Sequence, residues 1–438
     1  MLQTIGFEFE MFLLDNKGRV ANEADKIMKK ANVDFFVREI SESMLEIRSE
    51  PHSKVRGLLR NFFLNLGKLI GVCKKMDLFL YPYGCYPGKS SPKFRESTWY
   101  DSIKMNLGSK AIEVFPRISG FHFHFCAPDS FVLHNELDLA YAARNKEKSD
   151  ILLGIFNLLI AADPAICTFM QSSPFYEGNY YGKSSRMIVW RDFSKGNTVP
   201  IGGIFNKNPI KIFNSLPSYY SSVYDIDHDS QRRKDNWVRM IESYSMGVPK
   251  EIVKRSSLKF DWGPVRLNPI GTLEQRGMDM NTPMHVLGVS SLLKRILKPI
   301  FYGDLKVRVA DFAIDEPFKL EDGIIYVAPY NYVRKLELES ALNGFDNKEV
   351  LKYCKSFYDT AMKIESARRE LVSEVDAMFS AKKTKSDDIL DIAKEKGLEI
   401  GKSNPPDLWG SIALKLSHDF YSSSQKALKL IEEDFELV

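Results

Sequence analysis

Cysteine is scarce: there are five in 438 residues, and Cys73, Cys85, Cys126, Cys167 and Cys354 form neither a CxxC pair nor any ligand spacing. That suits reduced thiols packed as small hydrophobes rather than a disulfide frame. Long apolar runs are also missing, since none reaches the roughly 18 to 20 residues a spanning helix requires. The best stretch, Ile151 to Ala162, contains Asn157 and stops at Asp163, so it reads as a buried helix, and no membrane partner is expected. No basic leader precedes Glu8 and Glu10, which stand where a secretory signal would need an apolar core; the expected location is cytoplasmic. A surplus of one charge is lacking as well. Lysine and arginine number 61 against 57 acids, the positive charges are interspersed with acids, and no nucleic-acid partner is expected. Internal repeats and low-complexity tracts do not occur.

What remains is a composition, 44% hydrophobic and 12% aromatic, that can bury a sizeable core in one large domain or two to three smaller ones. Ile5, Phe7, Phe9 and Met11 interleave with Gly6, Glu8 and Glu10, the period of two of a strand with one apolar and one polar face. The pattern returns at Ser43 to Ser49, closed by Pro51, and at Arg117 to Ala127, where Phe121, Phe123 and Phe125 alternate with His122 and His124. Lys54 to Lys75 has helical spacing, and Asp77 to Tyr83 reads as a short strand. Helix is expected over Ser130 to Met170 with a break near Asp163-Pro164, then a functional loop from Ser172 to Gly203. Strands follow at Leu258 to Asp261, Val265 to Asn268 and Thr272 to Gly277, then a helix from about Thr282 to Tyr302. Residues 330–438 read as a helical extension to a catalytic domain at 1–329, covering the sheet or forming a subunit contact in a homo-oligomer.

Polar pairs stand at period two on separate strands: Glu8/Glu10, His122/His124 and Glu274/Arg276, with Glu46 on another. Alone, a Glu-x-Glu on a strand is ordinarily a solvated face, a His-x-His can be a surface pair, and Glu274 and Arg276 can be an exposed ion pair of little worth. Together on one sheet face, the carboxylates would repel by several kcal/mol at reduced dielectric. Divalent cations remove that cost. Carboxylate oxygens suit Mg²⁺, commonly held together with substrate phosphates, and an imidazole ligand leans toward Mn²⁺. The pattern points to a metal nucleotide.

These residues carry a resemblance. Gly6-Phe7-Glu8-Phe9-Glu10, Glu42-Ser43-Met44-Leu45-Glu46 before Pro51, Ile118-Ser119-Gly120-Phe121-His122, and Thr272-Leu273-Glu274-Gln275-Arg276 with Asp279 and Pro283 resemble, in order, the motifs of glutamate-cysteine ligases. Ser172-Ser173-Pro174-Phe175 with Gly178, Gly182, Ser184-Ser185-Arg186-Met187 and Trp190-Arg191 is similar to glutamate-cysteine ligase family 2, the carboxylate-amine ligases. The resemblance implies an α+β fold of the glutamine-synthetase-like type, an antiparallel sheet flanked by helices, with ATP and two or three Mg²⁺ on the sheet. It further implies that Glu8, Glu10, Glu46, His122 and Glu274 hold metal and that Arg276 meets the transferring phosphate. Arg186 would hold substrate carboxylate or phosphate, His124 would contact ATP or support the metal ligands, and Arg191 is a further nucleotide candidate.

The activity so implied is ATP-dependent ligation: phosphorylation of a carboxylate, then displacement of phosphate by an amine to give a γ-glutamyl amide, with L-glutamate and an amine such as L-cysteine as substrates. The 172–203 loop would serve as a water-excluding lid. Another amine acceptor and a non-catalytic regulatory relative are the alternatives. A guanidino kinase of the same fold would need an arginine density around the nucleotide that this sequence lacks.

Overall fold

The opening alternation becomes strand β1, Ile5–Leu14, in which Ile5, Phe7, Phe9 and Met11 are buried while Gly6, Glu8 and Glu10 are only half-buried. The structure, a computed structural model, describes residues 3–31, 36–128, 132–133, 136–137, 139, 144–196, 199, 201–245, 247–310, 316–365 and 369–433. Six further strands join β1 in one seven-stranded sheet: β2 (Phe36–Arg38), β3 (Met44–Arg48), β4 (Phe79–Tyr81), β5 (Gly120–Cys126), β6 (Val265–Asn268) and β7 (Thr272–Asp279). The order is β6-β7-β5-β1-β3-β2, with β4 pairing the Phe12–Leu14 end of β1 beyond β5, and every pairing is antiparallel.

Phe7, Phe9, Leu45, Ile47, Phe121, Phe123, Phe125 and Leu273 all turn to one side, into the main core. Each large apolar side chain gains about 1.5–3 kcal/mol by leaving water, so these residues decide which way the sheet faces. The pleat then carries their charged neighbours to the other side. Register completes the arrangement: Glu8 lies opposite both Arg48 and His122, Glu10 opposite Glu46, and Glu274 opposite His124.

Helices cover the apolar face. They include α1 (Val55–Lys75), α2 (Lys146–Phe169), a short α3 (Ser185–Trp190), α4 (Pro283–Phe301), α5 (Tyr330–Asn343), α6 (Lys348–Ile364) and α7 (Pro406–Glu433). Leu336 of α5, Phe357 of α6 and Phe420 of α7 belong to the same buried cluster as Phe7 and Phe121. At the far end of β1, α7 lies on β4: Leu80 N donates to the Tyr421 hydroxyl and Ser417 Oγ to the Leu80 carbonyl.

The sequence reading needs correction at four places. Helix α2 starts at Lys146, where Asn145 accepts from Lys148 N, and it runs through Pro164 without a break. An internal proline costs about 3 kcal/mol. The burial of Leu158, Leu159, Ile160, Ile166 and Phe169 in the same helix outweighs that several-fold. Upstream of it, residues 132–133 and 136–137 pair as a short hairpin, and most of 129–143 lies outside the described residues. Ser257–Phe260 is a 3-10 turn instead of a strand. A separate three-stranded sheet at Lys306–Val309, Phe318–Glu321 and Ile324–Val327 had no signal strong enough to be read from sequence.

The fourth correction concerns the expected lid. Most of Ser172–Phe193 is buried, and it contains α3 and a short hairpin rather than a free loop. Buried Asp279, at the end of β7, accepts from Ser172 N, Ser173 Oγ at 2.6 Å and Ser184 Oγ at 3.0 Å. Three bonds to one carboxylate pin the segment to the sheet.

By length and composition α2 could cross a membrane, with mean hydropathy 1.9 over its best window, but 83% of that window is buried inside the protein.

Candidate functional site

The polar sheet face gathers Glu8, Glu10, Glu46, His122, His124, Glu274 and Arg276. Glu8 Oε2 lies 2.9 Å from His122 Nδ1, and Glu8 Oε1 lies 3.6 Å from His124 Nε2 and 3.2 Å from Arg48 Nε. His122 Nε2 stands 3.5 Å from Glu10, and its Nδ1 stands 3.7 Å from Glu274. Glu10 also accepts from Gly120 N at 2.6 Å.

Two sets of ligand atoms converge, each within 4.8 Å of one another: Glu8, His124 and Glu274 in one, Glu10, Glu39 and Glu46 in the other. Sequence reasoning placed His122 rather than His124 among the metal holders, yet His124 is the imidazole in the first set and His122 lies between the two. It missed Glu39 altogether, because this residue follows a three-residue strand too short to show alternation. The Nε2 atoms of both His122 and His124 are buried and make no hydrogen bond among the described residues. Buried imidazole nitrogens that face carboxylates without a hydrogen bond are the ligand types a divalent cation site draws on.

Electrostatics record the crowding. Burial, reinforced by Glu46 and Glu10, pushes the Glu39 carboxyl well above the usual carboxylate range; burial and Glu8 raise Glu46. Against the pull of burial, His122 and His124 hold Glu8 well below it. Glu274 is also held low despite full burial, by Arg266 first and then Arg276. Arg266, which the sequence did not single out, donates to both Glu274 oxygens at 2.7 and 3.1 Å, and Asn268 adds a third bond at 2.8 Å. His124 Nδ1 pairs with the Thr272 hydroxyl at 2.9 Å, which leaves Nε2 to face Glu8.

Arg276 sits on a bulge. Gln275 pairs with Phe123 and Met278 with Phe121, so Arg276 and Gly277 together oppose His122. Its guanidinium stays on the polar face, 3.6 Å from Glu274. Arg186 lines a cavity together with Arg276 and donates to the Gly277 and Arg276 carbonyls at 3.0 and 3.2 Å, while its buried Nε makes no hydrogen bond among the described residues. A Cβ at Gly120 would fall 2.4 Å from Arg186 Nη2, so glycine there is what admits the arginine.

Arg191 departs from the sequence expectation. Its side chain is about 2% exposed and lies on the core side of β7, bonded to Asp163 at 2.5 Å and Glu337 at 2.6 Å. No nucleotide can reach it there.

Two cavities flank the clustered acids. One of about 550 Å³ is lined by Gly6, Glu8, Arg48, His124 and Thr272; one of about 140 Å³ is lined by Glu10, Glu39, His122, Arg186 and Arg276, with Trp99, Trp190 and Trp262 as its aromatic wall. A further cavity, about 790 Å³ between Arg19, Tyr86, Glu177 and Trp409, touches none of the clustered acids and is set apart from this chemistry.

Among solved structures, the chain is similar to a glutamate-cysteine ligase from Francisella tularensis in complex with AMP. The TM-score is 0.60 at 14% identity, covering 100% of this chain and 95% of that one. It is also similar to a bifunctional glutathione synthetase from Pasteurella multocida, with a TM-score of 0.53 at 13% identity; 96% of this chain is covered, and it spans 52% of that protein. No protein-family model and no curated protein matches the sequence. At these identities the likeness is one of fold, and the fold is the glutamine-synthetase-like one that the motifs predicted.

Proposed function

We propose that this chain is an ATP-dependent carboxylate-amine ligase that joins the γ-carboxylate of L-glutamate to an amine such as L-cysteine through an acyl phosphate. The observation that carries the reading is the two converging ligand sets, with two buried imidazole nitrogens that make no hydrogen bond among the described residues, and with Arg276 against Glu274. Glu8, His124 and Glu274 would hold one Mg²⁺ or Mn²⁺ and Glu10, Glu39 and Glu46 another, with His122 between them. When bound, such ions neutralise phosphate charge and relieve the carboxylate repulsion.

The chain's own groups supply the rest. The cavity of about 550 Å³ has the volume of a nucleotide site, and Arg48 and Glu8 stand at its inner wall. Arg276, between the acids and the smaller cavity, offers a forked donor to the phosphate in transit. Arg186 presents its buried Nε to a substrate carboxylate on the other side. Trp99, Trp190 and Trp262 exclude water that would hydrolyse an acyl phosphate, the role that sequence reading gave to a lid. Trp99 and Trp262 stack at 5.7 Å, so the wall is stiff before substrate arrives.

The test is phosphate release from ATP and Mg²⁺ with L-glutamate, screened over amines including L-cysteine, with the amide identified by mass. Metal-dependent ADP and phosphate formation that requires both acid and amine is expected. No turnover with any acid-amine pair would overturn the reading.

A further inference from the structure

Arg191 and Arg186 leave the same short helix, α3 and its C-terminal cap, yet they reach opposite faces of β7 and meet at one atom. The Gly277 carbonyl accepts from Arg186 Nη1 at 3.0 Å on the cavity side and from Arg191 Nη2 at 3.3 Å on the core side. Around that carbonyl the bulge is fully engaged. Gly277 N donates to Gln275 Oε1 at 2.7 Å, Gln275 Nε2 to Asp163 Oδ1 at 2.9 Å, and Arg276 N to the Pro264 carbonyl at 2.8 Å. A Cβ on Gly277 would stand 2.3 Å from Arg191 Nη2 and 2.5 Å from Asp163 Oδ1, so the grip closes on bare backbone.

Arg191 is itself fixed by Asp163 of α2 and Glu337 of α5, both fully buried. Glu337 also pairs with Arg334, which binds Asp192 at 3.0 Å, next to Arg191 in the chain. The network thus runs from the 330–438 segment, through the core, to the backbone that carries Arg276. A staple meant only to join helices would have no need of the β7 carbonyl.

We infer that Arg191 is a positioning residue for Arg276: from the core side it holds the bulge in register, and α5, through Glu337, sets where Arg191 sits. The catalytic consequence rests on the ligase reading; the mechanical one does not. A bulge held on one face only can slide its side chain along the sheet, and a misplacement of about 1 Å can cost about 100-fold in rate.

The experiment uses the full chain with Glu337→Gln, which keeps the shape of the side chain, and Arg191→Lys, which keeps the charge but not the fork. Hydrogen exchange followed by mass spectrometry, under conditions where both variants remain folded, should show peptides covering residues 275–278 opening about tenfold faster while α4 exchanges as in the wild type. Steady-state kinetics should show kcat lowered about 10- to 100-fold with KM for ATP changed less than about threefold, and Glu337→Asp should recover most of the loss. Wild-type exchange at 275–278 in both variants overturns the inference. So does a kcat that falls only in proportion to the folded fraction. If the wild-type chain turns over no acid-amine pair, the ligase reading fails, and the exchange result still decides whether Arg191 holds the bulge. If one variant does not fold, the other supplies the same readout.

Discussion

The titratable groups on the two sides of β7 are used in opposite ways. On the core side, Arg191, Asp163, Glu337, Arg334 and Asp192 form a closed set in which every charge touches its opposite, and Asp163 holds Arg191 protonated against the cost of burial. On the cavity side Glu46 pairs with Arg48, but Glu10, Glu39 and Glu46 crowd together, the Glu39 and Glu46 carboxyls are pushed up, and two buried imidazole nitrogens make no hydrogen bond among the described residues. Closure, rather than the presence of charge, separates a structural network from a site awaiting a ligand.

The largest expected effect breaks the closed side. Asp163→Ala leaves Arg191 buried with half its partners and should lower unfolding free energy by about 3–5 kcal/mol in denaturant titration. On the open side, Glu46→Gln removes a repelling charge and should leave metal-free stability unchanged or raised. Equal losses in the two variants would erase the distinction.

Next comes Arg276→Lys, which keeps the charge but loses the fork; the catalytic rate should fall about 10²- to 10³-fold with little change in KM for ATP. A rate within about threefold of wild type would return Arg276 to an ion pair with Glu274.

A third effect separates the faces by pH. Burial and neighbouring carboxylates hold the folded-state pKa values of Glu39 and Glu46 above the ordinary carboxylate range, so the unfolded chain releases these protons first, and metal-free stability should fall as pH rises from about 4.5 through the folded values. Mg²⁺ at about a hundred times its Kd should restore about 2.7 kcal/mol, and more of it at pH 8 than at pH 5, because the ligands must lose protons to bind. Melting curves with and without Mg²⁺ at the two pH values check this; a gain independent of pH would exclude these carboxylates as ligands.

The smallest effect tests orientation. Thr272→Val removes the hydroxyl that fixes His124 Nδ1, and metal affinity by calorimetry should drop about tenfold with the fold intact. Unchanged affinity would mean that His124 is not a ligand.

Period two made much of this face legible from sequence: Glu8, Glu10, Glu46, His122, His124 and Glu274 each alternate with a core residue on a strand. Arg276 was assigned to the right face although the bulge at Gly277 is invisible in sequence. Glu39 escaped because a three-residue strand has no period to read, and Arg266 because its importance lies in a cross-strand register with Glu274 that only pairing defines. Arg191 was misassigned since an arginine five residues after Arg186 looks the same on paper whether it points to solvent or into a core. Asp163 was hidden by its neighbour: Asp163-Pro164 reads as a helix break unless the burial around it is known.

Helix α2 also has a history in time. Its 24 residues are apolar enough to seek any greasy environment, and the surfaces that cover them are supplied by β7, α4, α5 and α6. The last of these, α6, ends about 190 residues downstream of α2. At the usual pace of synthesis, about 5–20 residues per second, the helix is made about 10 to 40 s before its final cover exists. Two polar residues, Asn157 and Asp163, interrupt the apolar stretch that waits for this cover, and in the folded protein they serve as a loop anchor and an ion-pair partner.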